Sequence, residues 1–165
     1  DRHLGGELRH QGSSAGCDWA RASEPGDKLA IWGPRVAFDP PADTEWLLLF
    51  GDDTALPGIG VILETLPVHR RATVIVEVDS EADQVPFPTN ERIDVQWLYR
   101  NGSDPAASKQ LVEAVQALAI PDAPGYAWGG GEIRIMNAIG KYLRRTVGFR
   151  PTDVCAVGYW HAEAH

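Results

Sequence analysis

Apolar residues follow two alternating rhythms along this chain. Residues 46–50 (WLLLF), 72–78 (ATVIVEV), 93–99 (IDVQWLY) and 154–160 (VCAVGYW) are short runs rich in β-branched and aromatic side chains. Bounded by Gly, Pro, Asp or Asn, they predict strands, and Tyr126 to Trp128 predicts one more. Between them, 54–66, 105–118 and 131–147 predict helices. In the last, Ile133, Met136, Ile139, Leu143 and Val147 recur at three- and four-residue steps, so one helical face is apolar. Strands alternating with helices imply an α/β fold with a mostly parallel, doubly wound sheet covered on both faces. Ligands on such sheets sit beyond the carboxyl ends of the strands, where the strand order switches.

Ahead of this pattern the chain reads differently. Residues 1–38 show no strand–helix repeat and include the turn-like EPGDKLAIWGPR (24–35). FDPPAD (38–43) reads as a semi-rigid linker, because paired prolines restrict the backbone. The expected division is therefore a separate piece over 1–38 and an α/β domain over 39–165.

Length and charge narrow the classes. At 165 residues the chain can bury a sizeable core without metals or disulfides. A net charge of −8 argues against a general nucleic-acid or membrane-surface role. Local basic sites remain open, since Arg70, Arg71, Arg100, Arg134, Arg144 and Arg145 fall in small groups. Cys17 and Cys155 form neither a metal spacing nor a disulfide framework, which fits a reducing cytoplasm. No stretch approaches the roughly 20 apolar residues of a membrane span, and no signal-peptide pattern is present. The start at Asp1, without methionine, suggests a portion of something longer.

Three motifs could support chemistry. Gly51-Asp52-Asp53-Thr54-Ala55-Leu56-Pro57 follows the first strand, and Asp53 or Thr54 can cap the next helix. It is either a plain helix start or a ligand turn, and it lacks the glycine-rich dinucleotide fingerprint. Gly125 to Arg134 places Gly129, Gly130 and Gly131 in an expected loop after a strand, where missing Cβ atoms would admit a ligand. Arg134 then sits in the first helical turn, where the dipole disfavours a cation. It either awaits an anion or pairs with Glu132. Gly158-Tyr159-Trp160-His161 reads as strand-end packing, and the histidines as surface groups. No Ser-His-Asp order, paired catalytic carboxylates or phosphate-binding P-loop is recognisable.

Together these motifs resemble the siderophore-interacting protein family, flavin-dependent ferric-siderophore reductases. The family has a G-D-[DE]-T-A-L-P-[AG]-I turn, here Gly51 to Ile59; an A-W-x-x-G-E segment, here Ala127-Trp128 to Gly131-Glu132; and a closing [GA]-Y-W, here Gly158 to Trp160. WARASEPGDKLAIWGPR (19–35) is similar to the end of the family's flavin-binding β-barrel. Residues 1–38 would then be a remnant of that barrel, and 39–165 the NAD(P)H-binding domain of the ferredoxin-reductase type. Where the family has a G-P-A-S stretch facing the flavin pyrophosphate, this chain has Ala15, Gly16, Cys17 and Asp18.

The resemblance implies hydride transfer from NADPH or NADH to FAD, then one-electron reduction of Fe(III) in a ferric siderophore, in the cytoplasm. It implies cofactor contacts from Gly51, Asp52, Asp53, Thr54, Ala55, Arg100, Gly129, Gly130, Gly131, Glu132, Arg134 and Trp160. Arg134 and Arg100 would take phosphate charge, and Thr54 would orient the nicotinamide. His161, Arg35 and Lys28 would meet the anionic siderophore. The rest of the flavin barrel becomes an expected partner, and no catalytic acid or metal ligand is required. The alternative is an isolated or degenerate binding domain that has lost redox activity.

Overall fold

The computed structural model describes residues 15–29, 38–88 and 90–162. The chain divides into two compact units, Asp1–Arg35 and Val36–His165. In the first unit the described part holds one helix, α1 (Ala15–Ala22), with Asp18 in its first turn and Arg21 in its last. Residues 23–29 continue as a turn, with the Asp27 N–H on the Glu24 carbonyl at 3.1 Å, and residues 1–14 and 30–37 of the expected barrel remnant, Arg35 included, lie outside those described.

The second unit is built on five parallel strands: β1 (Trp46–Asp52), β2 (Arg71–Val78), β3 (Ile93–Tyr99), β4 (Gly125–Glu132) and β5 (Val154–Trp160). Their order in the sheet is β3-β2-β1-β4-β5, so the order reverses at β1. Every residue of β1 is buried, because parallel strands with covered faces have no wet side. Successive side chains go to opposite faces. Leu47 and Leu49 join Ile59, Ile62 and Leu63 of α2 (Leu56–Thr65) in one core. Trp46, Leu48 and Phe50 join the other, with Leu111 and Val115 of α3 (Gln110–Ala117) and Met136 and Ile139 of α4 (Ile133–Tyr142).

Three expectations shift. The helix expected over 105–118 begins at Gln110. Its first residues are diverted by polar side chains: Asp104 accepts the Ala106 N–H at 2.9 Å, and the Ser108 hydroxyl donates to Glu77 at 2.6 Å. The helix expected from residue 54 starts as a 3₁₀ turn, Asp53–Ala55, before α2. The helix expected over 131–147 starts at Ile133 and closes in a π-helical turn, Leu143–Val147, stopped by left-handed Gly148. Among the described residues, β2 and β3 are joined through a short 3₁₀ turn, Glu81–Asp83, and no α-helix. A segment bearing Val85 and Phe87 covers that core instead, with Phe87 stacked on Trp97 at 5.5 Å.

Candidate functional site at the carboxyl edge of the sheet

The strand order reverses at β1, and the Gly51 turn lies at this switch point, at the carboxyl ends of β1 and β4. Asp52 ends β1 and caps the 3₁₀ turn. It is nearly inaccessible, yet four donors converge on it. The Thr54 N–H and hydroxyl donate to Oδ1, at 2.9 and 2.5 Å. The Glu132 N–H and the Trp160 indole Nε1–H donate to Oδ2, at 3.1 and 2.8 Å. One carboxylate therefore joins the carboxyl ends of β1, β4 and β5.

Asp53 faces the other way. Its Oδ2 lies 3.1 Å from the Arg100 guanidinium, which also lies 3.7 Å from Glu77 Oε1 at the end of β2. Arg100 is 5% exposed. Two carboxylates lie against it, so Arg100, expected to take phosphate charge, also ties β1, β2 and the end of β3 together. The two aspartates thus face in opposite directions and fasten the edge of the whole sheet.

The glycine run is strand, not loop, and this corrects the loop expected there. Gly129, Gly130 and Gly131 are buried in β4. A Cβ on Gly129 would lie 2.3 Å from the Phe50 ring, and one on Gly130 would lie 2.6 Å from the Tyr159 ring. At Gly131, where φ is +154°, it would lie 2.6 Å from the Asp52 carboxylate. The side of each glycine where a Cβ would stand is filled by this chain's own side chains. Gly51 is glycine for a similar reason, since its Cβ would lie 2.4 Å from the Gly130 carbonyl oxygen. Ala55, wholly buried, closes the turn behind it.

Glu132 caps α4. Its carboxylate accepts the Arg134 N–H at 2.6 Å and the Ile135 N–H at 3.0 Å. The Arg134 guanidinium lies 3.3 Å from it and is two-thirds exposed. Burial alone would raise the Glu132 carboxyl, but these donors outweigh it and hold it below the ordinary carboxylate range. Asp153 is also lowered, first by its bond from Arg150 at 2.6 Å. An acid held lower in the folded state stabilises it above the unfolded pKa, and that stability is lost as pH falls through the folded value. The urea midpoint is therefore expected to drop between about pH 5 and about pH 3, and the Glu132→Gln variant to show a shallower drop.

β4 and β5 lose register at this point. Gly131 pairs with Gly158, but Glu132 pairs with Trp160, leaving Tyr159 as the extra residue of a bulge. Trp160 turns in to Asp52, while Tyr159 is 46% exposed with its ring over Gly130. Burial, with Cys155 and Asp52 nearby, pushes the Tyr159 hydroxyl up, so it stays neutral. The sequence reading took Tyr159 only as strand-end packing, because the bulge depends on pairing between two strands. Also outside that reading were Glu77 and Ser108, which end the Arg100 network.

Thr54 is exposed. Its hydroxyl hydrogen goes to Asp52, so its lone pairs are left to accept from a ligand amide. The exposed His161 follows Trp160 directly, and Lys28 is exposed in the other unit. Cys155 is half-buried in β5, where burial pushes its thiol up and keeps it unreactive. Among the described residues no His, Cys, Asp and Glu cluster could hold a metal, and no helix is long and apolar enough to cross a membrane. A cleft of about 1060 Å³ lies at the opposite, amino edge, lined by Arg70, Arg71, Arg92, Asp43, Glu45 and Asp94 among others.

Comparison with known proteins agrees with this architecture. The chain is 30% identical over 156 residues to the ferric vibriobactin reductase ViuB of Vibrio cholerae, covering 92% of this chain and 56% of that protein. It is 29% identical to the NADPH-dependent ferric-chelate reductase of Escherichia coli, covering 95% and 63%. The chain spans about half the length of the curated relatives it matches. The siderophore-interacting protein SipS of Aeromonas hydrophila is similar in structure, with a TM-score of 0.79 at 28% identity over 94% of this chain and 60% of that one. The siderophore interacting protein of Acinetobacter baumannii shares the fold, with a TM-score of 0.82 at 21% identity over 96% and 63%. The family model described as siderophore-interacting protein matches residues 44–163, well over half of the chain. The chain belongs to the siderophore-interacting protein family.

Proposed function

We propose that this chain is the NAD(P)H-binding portion of a flavin-dependent ferric-siderophore reductase, with the nicotinamide meeting the carboxyl edge at Thr54. The observation that supports it most is the state of Thr54. Its hydroxyl is exposed at the switch point and is turned into an acceptor by Asp52, which suits the N–H₂ of a carboxamide. When bound, the nicotinamide supplies a hydride, and the flavin passes its two electrons singly to two Fe(III) chelates.

The chain's own residues orient and polarise. Asp52 fixes Thr54, Glu132 and Trp160 in one frame, so an acceptor, a helix start and an aromatic pair hold fixed positions. Asp52, whose four donors are all neutral, leaves negative charge at this edge, which favours positive charge developing on a ring that gives up hydride. Phosphate charge falls to Arg134, whose guanidinium has unused donors beside Glu132. The described residues supply no diphosphate cradle for FAD: Asp18 places an acid in the first turn of α1. In this reading the flavin belongs to the additional length that the relatives have. His161, exposed just after Trp160, would meet the anionic siderophore.

The test is anaerobic spectroscopy on the complete reading frame. NADPH or NADH should bleach a visible flavin band, and a ferric siderophore should restore it. A band that never bleaches would contradict the reading. Arg134→Ala is expected to weaken NADPH binding about tenfold and NADH binding less, measured by calorimetry. Equal losses would remove the 2′-phosphate from Arg134.

A further inference from the structure

The bulge between β4 and β5 divides two neighbouring aromatic residues into different tasks. Trp160, opposite Glu132, is turned inward and its indole N–H is held by Asp52 at 2.8 Å. Tyr159, the residue the bulge leaves without a partner on β4, is half-exposed at the same edge. Its ring lies on Gly130, where a Cβ would be 2.6 Å from the ring, so the strand backbone supports it from beneath. Thr54 and Glu132 are bonded to the same Asp52 carboxylate that anchors Trp160.

From this arrangement we propose that Tyr159 is the ring platform of the nucleotide site, and that Asp52 is a positioning residue acting through Trp160 to keep the platform displayed. The ligand class is a planar, amide-bearing ring: the ring stacks on Tyr159 and its carboxamide donates to Thr54. The inference rests on the nucleotide reading above and extends it to Tyr159, read from the sequence as strand-end packing, and to a positioning role for Asp52. A bulge re-aims side chains while the rest of the ladder continues, so a single extra residue suffices to separate anchor from platform. Without the Asp52 bond, Trp160 could rotate outward and compete for the place of Tyr159.

The test uses the full chain and NADH as the probe, followed by proton NMR of the nicotinamide ring and of the Trp160 indole N–H. Parental protein should shift and broaden the nicotinamide protons. Tyr159→Leu should weaken NADH about fivefold and abolish the ring-current shift, and Tyr159→Phe should restore it. Asp52→Asn risks unfolding, so the anchor is tested with Trp160→Phe, which keeps an aromatic ring at position 160 and removes the N–H donor together with the fused five-membered ring. That variant should weaken NADH about threefold and reduce the ring-current shift, with a thermal melt confirming a folded chain. An unaltered shift in Tyr159→Leu would overturn the platform while leaving the nucleotide reading intact. Unaltered binding and shift in Trp160→Phe would overturn the positioning role of Asp52. No binding of NADH to the parental chain would overturn the nucleotide reading and this inference with it.

Discussion

Replacing Asp52 by Asn is expected to destabilise the protein by about 2–4 kcal/mol, lowering the thermal midpoint by roughly 5–15 °C. The change is nearly isosteric, so volume is not the cause. Asp52 is buried and accepts from four donors, two on each oxygen. A carboxamide offers one acceptor oxygen and one N–H₂ group, which must confront either the Thr54 pair or the Glu132 and Trp160 pair. At least two donors lose their acceptor in a buried place, and each loss costs about 1–3 kcal/mol before relaxation. The Thr54 hydroxyl can rotate and recover part of this, which sets the lower figure. A thermal melt of the two proteins decides it. A midpoint within a degree of the parent would mean that the four contacts do not hold the edge together.

Arg100→Met is expected to cost about 3–5 kcal/mol, read from urea unfolding at neutral pH. Methionine fills much of the same volume, so the expected loss is electrostatic. The guanidinium side chain is 3% exposed, between Asp53 and Glu77. Removing it leaves Glu77, also buried, with the Ser108 hydroxyl as its one remaining partner of those described above. Lowering the pH should shrink the deficit, because protonating the stranded carboxylates removes the uncompensated charge. Had Arg100 been a phosphate arm, its removal would leave stability nearly unchanged and weaken nucleotide binding alone. The two outcomes are separable on the same samples.

How far the sequence could be read depended on whether one segment or several decided the outcome. WLLLF at 46–50 and ATVIVEV at 72–78 announce buried parallel strands, because a strand with two covered faces must be apolar throughout. The three-and-four spacing likewise places α4 and its apolar face at Met136, Ile139 and Leu143, while Ile133 at the head of the pattern is 43% exposed. The glycine run was misplaced because its cause is remote. Gly129 makes way for Phe50, Gly130 for Tyr159 and Gly131 for Asp52, and those neighbours come from other strands. Nothing within residues 125–132 says that glycine is serving its neighbours rather than a ligand.

The paired aspartates of the Gly51 turn show the same limit. Capping was legible from the Asp-Asp-Thr order, and the structure puts the cap on Asp52 rather than on Asp53 or Thr54. That Asp52 also reaches β4 and β5, and Asp53 reaches Arg100, required the strand order β3-β2-β1-β4-β5. Arg134 was open to two readings, an anion ligand or a partner of Glu132. The structure gives it the Glu132 contact and leaves two-thirds of the side chain exposed, so the second task stays available. Topology, then, turns a local turn motif into the fastening of a whole sheet edge.

The central claim is that the carboxyl edge, not the large cleft at the amino edge, receives the nucleotide. The most direct measurement is an NMR titration of the full ¹⁵N-labelled chain with NADPH. The account predicts that the amides of Thr54, Glu132 and Arg134 and the indole N–H of Trp160 move together, while the amides of Arg71 and Arg92 stay still. Shifts confined to Arg71, Arg92 and their neighbours, with Thr54 and Trp160 unmoved, would contradict it.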